Sequence, residues 1–271
     1  MLTPEASPIR DEKNRGEMTE AGKSAGPLKG RVAVVTAAAG MGIGGSIARR
    51  LDADGALVVV SDAHAGRLEK ICDELGITGD VVDVTDPDAL TRHLQSVLSQ
   101  HERIDIMVNC AGANIVKTTW ELSDDEWRRV FDVNLNAAFR AVRTVMPGMI
   151  ARGSGSIMNI ASIAAWDPPE REVAYATSKA ALIGFTRALA REVAATGVRV
   201  NAVAPSFVEN PFLEKLYGRE RMDALRASAP LGRGVKPEEV GGVVAWLASD
   251  ETVYVTGETI TIAGGNFFRQ A

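Results

Sequence analysis

A tyrosine and a lysine stand four positions apart in the stretch YATSK, at Tyr175 and Lys179. If this stretch is helical, the spacing places both side chains on one face. A free tyrosine, with a pKa of about 10, is a poor base near neutral pH, whereas a neighbouring ammonium group favours its phenolate form. Such a pair also occurs often on exposed helix surfaces, so its chemistry depends on what lies beside it.

A serine supplies that context. Ser162 lies thirteen residues before the tyrosine, at the end of the apolar run GSIMNI. The ends of parallel strands are where α/β sheets place their sites. A hydroxyl there can hydrogen-bond to a reacting oxygen and stabilise the charge that develops on it. The three residues together predict proton transfer to or from an oxygen of a bound substrate.

The surrounding sequence predicts how these residues are positioned. From Leu28 onward, short apolar runs alternate with amphipathic stretches, and runs without polar alternation are typical of strands covered on both faces. Repeated β-α units favour a doubly wound parallel sheet with helices on both faces. We therefore predict one Rossmann-like α/β domain over residues 28–271. The expected strands are VAVVT (32–36), ALVVVS (56–61), GDVVDV (79–84), IDIMVN (104–109), GSIMNI (155–160), VRVNAVA (198–204) and ETITI (258–262), and one expected helix covers residues 123–150.

The composition narrows the class of protein. The 271 residues carry a formal charge of −5, and no basic run exceeds two residues, which gives no sign of nucleic-acid binding. Two cysteines, Cys72 and Cys110, are too few for a disulfide framework and indicate a reducing, cytoplasmic compartment. We expect residues 1–27 to form a disordered extension without a signal peptide or membrane span. The histidines fall on polar patterns and predict no metal site.

The stretch TAAAGMGIGG, which follows the first expected strand, is rich in glycine. Gly40, Gly42 and Gly45 spell G-x-G-x-x-G, but Gly40 lies five residues beyond the apolar run, whereas that pattern begins directly off its strand. A plain structural turn is therefore an alternative to a phosphate-binding loop. Asp62 favours binding, because it ends the second strand 18 residues after Gly44, where a carboxylate can accept hydrogen bonds from a ribose diol. Asp62 could also cap the following helix.

Taken together, these features resemble the short-chain dehydrogenase/reductase superfamily, whose loop has the pattern T-G-x-x-x-G-x-G. Thr36, Gly42, Ile43 and Gly44 match it, with one additional residue in the loop and Ala37 in place of the first glycine. Because a Cβ disfavours the left-handed region, we expect a φ below zero at Ala37. The resemblance implies that N–H groups near Gly42–Gly44 face a pyrophosphate at a helix N-terminus, and that the G-x-G-x-x-G spacing is coincidental.

The resemblance extends from Leu28 to Gly265 and implies a seven-stranded sheet and further site residues. Asn134 matches the helix asparagine that completes the catalytic set and orients a water that relays a proton, while Lys179 also holds the nicotinamide ribose. Cys110 is expected to be a small packed residue. The segments VVDV, NCAG and VAPSFVEN match cofactor-binding segments, which implies roles for Asp83 and Val84 at adenine, and for Asn109, Ala111, Gly112, Pro205, Val208 and Asn210 along the cofactor, although Ser206 and Asn210 stand where glycine and threonine are usual.

The implied reaction couples proton transfer to hydride transfer between a nicotinamide cofactor and a secondary alcohol or ketone. Tyr175 would take the hydroxyl proton, with its pKa lowered by Lys179 and the positive nicotinamide ring. Ser162 would stabilise the reacting oxygen. We expect NAD rather than NADP, because Asp62 would repel a 2′-phosphate and the nearest cation, Arg67, lies a helical turn away.

The substrate is expected to be bulky and largely apolar. Trp166 follows Ser162 by four residues, and residues 206–229 have the character of a substrate-covering segment. Its apolar side chains could equally belong to an ordinary packed helix. They are Phe207, Phe212, Leu213, Leu216, Tyr217 and Met222.

Two other functions are open at this point. One is a 3-oxoacyl-thioester reductase, a frequent role in the family, and the loop is also similar to that of members acting on steroid-derived CoA thioesters. The other is a dinucleotide-binding regulator without turnover, which predicts loss of Tyr175 or Lys179, whereas both are present. The resemblance further implies a homotetramer or homodimer joined through the long helices that carry Asn134 and Tyr175.

Overall fold

A parallel sheet of seven strands forms the centre of the computed structural model, which describes residues 26–209 and 218–268. The predicted N-terminal extension lies, up to residue 25, outside the described residues. The strands are β1 (Val32–Thr36), β2 (Leu57–Asp62), β3 (Thr78–Val81), β4 (Ile106–Asn109), β5 (Gly155–Ile160), β6 (Val198–Pro205) and β7 (Thr259–Ile262). They lie in the order β3-β2-β1-β4-β5-β6-β7, and all neighbours are parallel. The predicted α/β sheet is confirmed.

Helices connect the strands and begin where local chemistry favours it. Asp86 accepts hydrogen bonds from the first-turn N–H groups of one helix, and Ser123 forms a capping box with Glu126 at the start of another. None of the helices in the described part of the chain combines the length and apolar character needed to cross a membrane. The helices are α1 (Ile43–Ala53), α2 (Ala65–Leu75), α3 (Pro87–His101), α4 (Asp124–Phe131), α5 (Ala137–Arg152), α6 (Val173–Val193), α7 (Arg219–Ser228) and α8 (Pro237–Ala248).

Apolar side chains cover the sheet on both faces. All five residues of β1 are buried. Val35 belongs to the cluster formed with α1, α2 and α8, whereas Val34 belongs to the cluster formed with α3, α5 and α6. Burying a Val or Leu side chain contributes about 1.5–3 kcal/mol relative to exposing it. An apolar run without alternation is therefore stable at the centre of this sheet.

One predicted helix is interrupted. The sequence pattern predicts a continuous helix over residues 123–150, but α4 and α5 are separated by a π-helix, Asp132–Asn136. A π-helix adds one residue to a turn, and such turns often occur at functional sites. Asn134 lies in this segment and is 1% exposed.

The strand order reverses between β1 and β4, with β2 and β3 on one side and β5 to β7 on the other. Open α/β sheets bind ligands at such a point, beyond the carboxyl ends of the strands. Thr36, the last residue of β1, connects the loop that follows β1 to the loop that follows β4. Its Oγ1 accepts hydrogen bonds from the N–H groups of Cys110 at 3.0 Å and Ala111 at 3.4 Å. The sheet thus places the glycine loop beside the segment after β4.

Candidate active site

The loop after β1 packs closely enough on α1 to require glycine at two helix positions. A Cβ on Gly44 would lie 2.2 Å from the carbonyl oxygen of Ala37, and one on Gly45 would lie 2.0 Å from that of Gly40. Gly40 itself has a φ of +88°. The spacing of Gly40 and Gly45, which the sequence interpretation treated as coincidental, therefore corresponds to a contact within the loop.

Ala37 has a φ of +52°, so the expectation of a negative φ is wrong. The residues that follow it determine the path of the chain. The N–H of Ala38 donates to the carbonyl of Ser61 at 3.1 Å, and the N–H of Ala39 donates to Oδ2 of Asp62 at 3.1 Å. The loop keeps a left-handed turn at this position and carries a strain of about 1–2 kcal/mol.

The N-terminus of α1 has the character of an anion-binding site. Its N-cap, Gly42, has no side chain to cap the helix, and the first turn contains no acidic residue. A Cβ on Gly42 would meet nothing within 4 Å, so there is open space at the helix end. The first-turn N–H groups and the positive end of the helix dipole are suited to a phosphate group. A dinucleotide therefore fits this loop.

Asp62 is held beside the same loop. Its Oδ1 accepts a hydrogen bond from the N–H of His64 at 2.9 Å, while Oδ2 bonds to Ala39. His64, not Asp62, is the N-cap of α2, and its Nδ1 accepts from the N–H of Arg67 at 3.3 Å. The side chain of Arg67 runs back toward the loop, with Cδ 3.7 Å from where a Cβ on Gly40 would be. A carboxylate and a guanidinium stem thus both border the loop.

Asp83 and Val84, the residues expected near adenine, lie beyond the C-terminal end of β3. This strand ends at Val81 instead of residue 84, because Oδ1 of Asp83 accepts hydrogen bonds from the N–H and hydroxyl of Thr85, at 2.9 and 2.7 Å, and turns the chain. Val84 is buried. It lines one small cavity together with Thr36, Asn109, Ala111 and Asn134, and with Leu90, Val133, Ala137 and Ala138.

Asn134 joins three parts of the site. Its Oδ1 accepts a hydrogen bond from the N–H of Ala113 at 2.7 Å, and its Nδ2 donates to the carbonyl of Ala113 at 3.0 Å. Nδ2 also donates to Oγ of Ser178 at 2.8 Å, and that hydroxyl donates to the carbonyl of Tyr175 at 2.7 Å. The π-helix, the loop after β4 and α6 are therefore held together by one amide.

Tyr175 and Lys179 lie on one face of α6, as their spacing predicts. Lys179 is 3% exposed, and its Nζ donates to the carbonyl of Ile160 at 2.7 Å and lies 5.7 Å from the centre of the Tyr175 ring. Ser162 lies beside Tyr175, where its side chain opposes the rise in the pKa of the phenol, and its Oγ accepts from the N–H of Ala164 at 3.2 Å. The end of β5 thus brings the serine to the tyrosine.

Gly112 lies between the catalytic candidates. A Cβ on this residue would be 3.7 Å from Nζ of Lys179 and 3.9 Å from Oδ1 of Asn134. The structure therefore brings together Asn134, Ser162, Tyr175 and Lys179 at the carboxyl edge of the sheet, next to the segment after β4.

The protonation of this group differs from the expectation. Burial, which disfavours the phenolate, raises the pKa of Tyr175; the Ser162 side chain opposes the rise, and the Glu172 carboxylate adds to it. Burial also lowers the pKa of Lys179 to about 8. The predicted lowering of the tyrosine pKa included the positive nicotinamide ring; in the protein by itself, the cost of burying the phenolate is the largest effect.

Three buried polar side chains near the site were not predicted. Nδ2 of Asn109 donates to Oδ1 of Asn159 at 2.8 Å, and Nδ2 of Asn159 donates to Oγ1 of Thr186 at 2.9 Å, which links β4, β5 and α6. The asparagine inside the apolar run GSIMNI could have predicted these contacts, because a buried amide needs hydrogen-bond partners. Glu172, 1% exposed, accepts a hydrogen bond from Nδ2 of Asn114 at 2.8 Å. The only feature of the sequence that could have pointed to Glu172 was a charged residue one helical turn before Tyr175.

The two cysteines form no disulfide. Burial raises the pKa of the Cys110 thiol to about 12, which suits the expected packed residue and not a reactive thiolate. The described residues contain no group of His, Cys, Asp and Glu side chains placed to bind a metal ion. His93, expected on a polar helix face, is instead 3% exposed, because α3 turns it toward β3, where Nδ1 lies 2.7 Å from Oδ2 of Asp80.

Of the segment expected beside the nicotinamide and the substrate, the structure describes residues 205–209 and 218–229. Pro205 ends β6, and Val208 is buried and pairs with Val235. Trp166 stacks on Phe267, with ring centres 5.5 Å apart, a contact that the sequence did not predict. Met222 is buried, and the Phe207 ring lies against Gly234. The predicted residues Asn210, Phe212, Leu213, Leu216 and Tyr217 lie outside the described residues.

Comparisons with known proteins find relatives similar in sequence and in fold. A family model described as enoyl-(acyl carrier protein) reductase matches residues 37–266. The chain is 41% identical over 245 residues to (5R,7aS)-5-hydroxy-7a-methyl-1-oxo-2,3,5,6,7,7a-hexahydro-1H-indene-carboxyl-CoA reductase of Mycobacterium tuberculosis, covering 88% of this chain and 94% of the relative. It is 39% identical over 243 residues to the 3-oxoacyl-(acyl-carrier-protein) reductase FabG of Thermotoga maritima, covering 88% and 98%. The crystal structure of gox2181 matches with a TM-score of 0.84 and 33% identity, covering 88% of this chain and 96% of that one.

Proposed function

The chain belongs to the short-chain dehydrogenase/reductase superfamily, and we propose that it uses NAD to interconvert a bulky, largely apolar secondary alcohol and its ketone. Membership makes it an oxidoreductase that transfers a hydride between a nicotinamide cofactor and such a substrate. The observation that carries the proposal is the position of the buried Lys179, whose Nζ lies 5.7 Å from the centre of the Tyr175 ring, with Ser162 beside the phenol. We take residues 28–271 as the NAD-binding domain.

Tyr175 is the proposed acid and base. In the reductive direction its hydroxyl gives a proton to the ketone oxygen, and in the oxidative direction it removes the proton of the alcohol. The phenol is protonated at neutral pH, as donation to a ketone requires, while the raised pKa by itself makes it a weaker proton donor. Ser162, which lies beside Tyr175, stabilises the charge on the substrate oxygen.

Lys179 and Asn134 support this proton transfer. Lys179, with its pKa near 8, can take up or release a proton close to neutral pH, and it is the proposed contact of the nicotinamide ribose. The Asn134 amide is engaged with Ala113 and Ser178. Both N–H groups of the amide are engaged, whereas Oδ1 keeps one lone pair with which Asn134 could orient the water of a proton relay.

NAD, when bound, accepts or supplies the hydride, and the loop and strand ends are the proposed binding residues. The first-turn N–H groups of α1, with Gly42, Ile43 and Gly44, would hold the pyrophosphate, and Asp62 the adenosine ribose. Thr36 acts indirectly, because its hydroxyl holds the segment after β4. The adenine contacts are assigned to Asp83 and Val84, and further cofactor contacts to Asn109, Ala111, Gly112, Pro205, Val208 and Asn210.

The apolar character of the substrate is supported by Trp166, which ends the short turn after Ser162 and stacks on the ring of Phe267. A second candidate function is the reduction of a keto acyl thioester, because the two relatives described above act, by their names, on a CoA thioester and an acyl-carrier-protein thioester. The bicyclic acyl group named for the first relative is also bulky and apolar. The two candidate functions differ in whether the protein recognises the CoA or acyl carrier protein to which the acyl group is attached.

Replacing Tyr175 tests the proposal most directly. Tyr175→Phe keeps the ring but removes the proton donor, so turnover should fall by roughly 10²–10⁴-fold while NADH binding changes little. A fluorescence titration with NADH beside a turnover assay measures both. Turnover like that of the wild type would remove the assigned chemistry.

Paired substrates separate the two candidates. The same cyclic keto acid is offered as a free acid, a simple ester, a CoA thioester and an acyl-carrier-protein thioester, alongside ketones of increasing apolar size. Efficiency that rises with apolar size, by roughly 0.8 kcal/mol per buried CH₂, supports the apolar-ketone proposal. Efficiency that depends on the carrier and not on the acyl group favours a thioester reductase.

We also propose a cytoplasmic homotetramer or homodimer. Apolar side chains on the long helices are partly exposed, with Phe139 at 47% and Ile150 at 42% on α5 and Val173 at 42% on α6. Contiguous exposed apolar surface is typical of protein interfaces. Light scattering on the purified protein tests this, and a monomer at micromolar concentration would contradict it.

A further inference from the structure

Glu172 is a buried carboxylate at the start of the catalytic helix. Its side chain is 2% exposed, although it stands only three residues before Tyr175 at the end of an exposed turn. It is the N-cap residue of α6, yet its side chain makes no capping hydrogen bond to that helix. A buried carboxylate without good partners would be strongly destabilising. The groups that pair with the Glu172 carboxylate therefore indicate its role.

Two of its partners lie in other parts of the fold. Nδ2 of Asn114, in the loop after β4, donates to Oε2 of Glu172 at 2.8 Å. NH2 of Arg221, on α7, lies 3.9 Å from Oε1. Asn114 follows Ala113, the residue that Asn134 holds from the other side. The loop after β4 is thus held by an asparagine and by a glutamate, each close to Tyr175.

Helix α7 belongs to the predicted substrate-covering segment, and its two ends are attached differently. Near its C-terminus, Nε of Arg226 donates to Oε1 of Glu209 at 3.1 Å, and that oxygen also accepts from the N–H of Gly234 at 2.9 Å. These bonds stay within the covering segment and the turn that follows it. Arg221 instead reaches the catalytic helix.

We propose that Glu172 is a positioning residue that ties α7 and the loop after β4 to the start of the catalytic helix, and so sets the place of α7 beside the substrate. The inference rests on the proposed function. Substrate affinity should then depend on the Glu172–Arg221 contact even though neither side chain donates the reacting proton.

The charges around this contact give it a distinct electrostatic signature. Glu172 acts electrostatically on Tyr175 of α6 and pairs with Arg221 of α7. The Glu172 carboxylate raises the pKa of Tyr175. Removing the carboxylate should therefore lower the apparent pKa of turnover, and removing Arg221 should raise it.

The test compares Glu172→Gln, Arg221→Gln and the double variant. Each single change should raise KM by roughly tenfold, the effect of losing a contact to a charged group, with kcat within about twofold of the wild type. The double variant should be no worse than the more affected single variant, because both changes remove one contact. Arg221→Lys, which keeps the charge, should restore most of the affinity.

Arg219→Gln is the matched control. Arg219 lies on the same helix, its side chain is 87% exposed, and it pairs at 4.0 Å with Asp223 within α7. Hydrogen exchange of amides 219–228, measured without substrate, should be faster in Arg221→Gln than in Arg219→Gln. If Glu172→Gln does not fold, Arg221→Gln alone decides. This readout also stands if the Tyr175→Phe test removes the proposed reaction.

Two results would overturn the proposal. One is Arg221→Gln matching Arg219→Gln in both KM and exchange, which would make the contact incidental. The other is a double variant whose effect equals the sum of the single effects, which would show that the two residues act independently.

Discussion

Nδ2 of Asn134 and Oγ of Ser178 lie 2.8 Å apart, so a hydrogen bond joins the π-helix to α6 one turn from the proposed acid. Both residues are buried, with Asn134 1% exposed and Ser178 fully buried. The extra residue of the π-helix turns Asn134 inward to this position. The irregular backbone between α4 and α5 is therefore part of how the site is assembled.

Replacing Ser178 tests this bond. Ser178→Ala leaves a buried N–H of Asn134 without its acceptor and should lower the free energy of unfolding by about 1–3 kcal/mol. The double variant with Asn134→Ala should lose less than the sum of the single losses, because both share one bond. Urea denaturation measures the four proteins, and Thr177→Ala, at an exposed neighbour, is the control. Strict additivity would contradict the coupling.

The glycine loop predicts opposite effects at two nearby positions. At Gly44 an alanine Cβ would meet the carbonyl of Ala37 at 2.2 Å, so Gly44→Ala should lower the free energy of unfolding by about 3 kcal/mol. At Gly42 the Cβ would enter open space and the backbone is extended, so stability should change by less than about 0.5 kcal/mol. The methyl group would instead occupy the proposed pyrophosphate position and weaken NAD binding at least about tenfold.

Denaturation curves and calorimetric NAD titrations distinguish these effects. A Gly42→Ala variant that binds NAD like the wild type would argue against a phosphate at the start of α1.

The choice between NAD and NADP should depend on Asp62. Its carboxylate borders the loop and would repel a 2′-phosphate, whereas Arg67 also runs toward the loop. Asp62→Ser should therefore raise the ratio of kcat/KM for NADP over NAD at least about tenfold. Adding Arg67→Gln should reverse part of that gain, because it removes a cation whose side chain borders Gly40. A wild-type protein that already prefers NADP would refute the NAD assignment.

The burial of Lys179 makes stability depend on pH. Its folded pKa is about 8, below the ordinary 10.5, so between these values the unfolded chain binds the proton more strongly. Stability should rise with pH through that window, and the full penalty is present below pH 8. Lys179→Met should therefore be more stable than the wild type at pH 7, by about 2 kcal/mol after loss of the bond to Ile160.

The advantage of Lys179→Met should vanish by about pH 10.5, where the wild-type lysine is neutral in both states. Urea denaturation at pH 7, 9 and 10.5 checks it, and the variant should be inactive throughout. A stability difference that does not change with pH would show that Lys179 is protonated normally in the folded protein.

Local periodicity was sufficient to predict the strands, most helices and the common face of Tyr175 and Lys179. These features depend on residues within one or two turns, and apolar runs are stable only where both faces of a strand are covered. The position of Ser162 also followed from the sequence, because a parallel sheet brings the ends of its strands to one edge.

Other features were decided only by contacts between distant segments. Ala37 adopts a positive φ because Ser61 and Asp62 hold the two residues after it. His93 is buried because α3 turns it toward Asp80, although its sequence neighbours are polar.

The protonation of the site residues was also decided by contacts between distant segments. The pKa of Tyr175 is raised because the folded chain removes water from around the phenol, an effect of burial that local sequence does not contain. The Glu172–Arg221 and Trp166–Phe267 contacts each join residues far apart in the chain. By itself, the sequence determined which residues could carry the chemistry and on which elements they lie. The tertiary structure decided their partners and protonation, because both depend on which segments exclude water from one another.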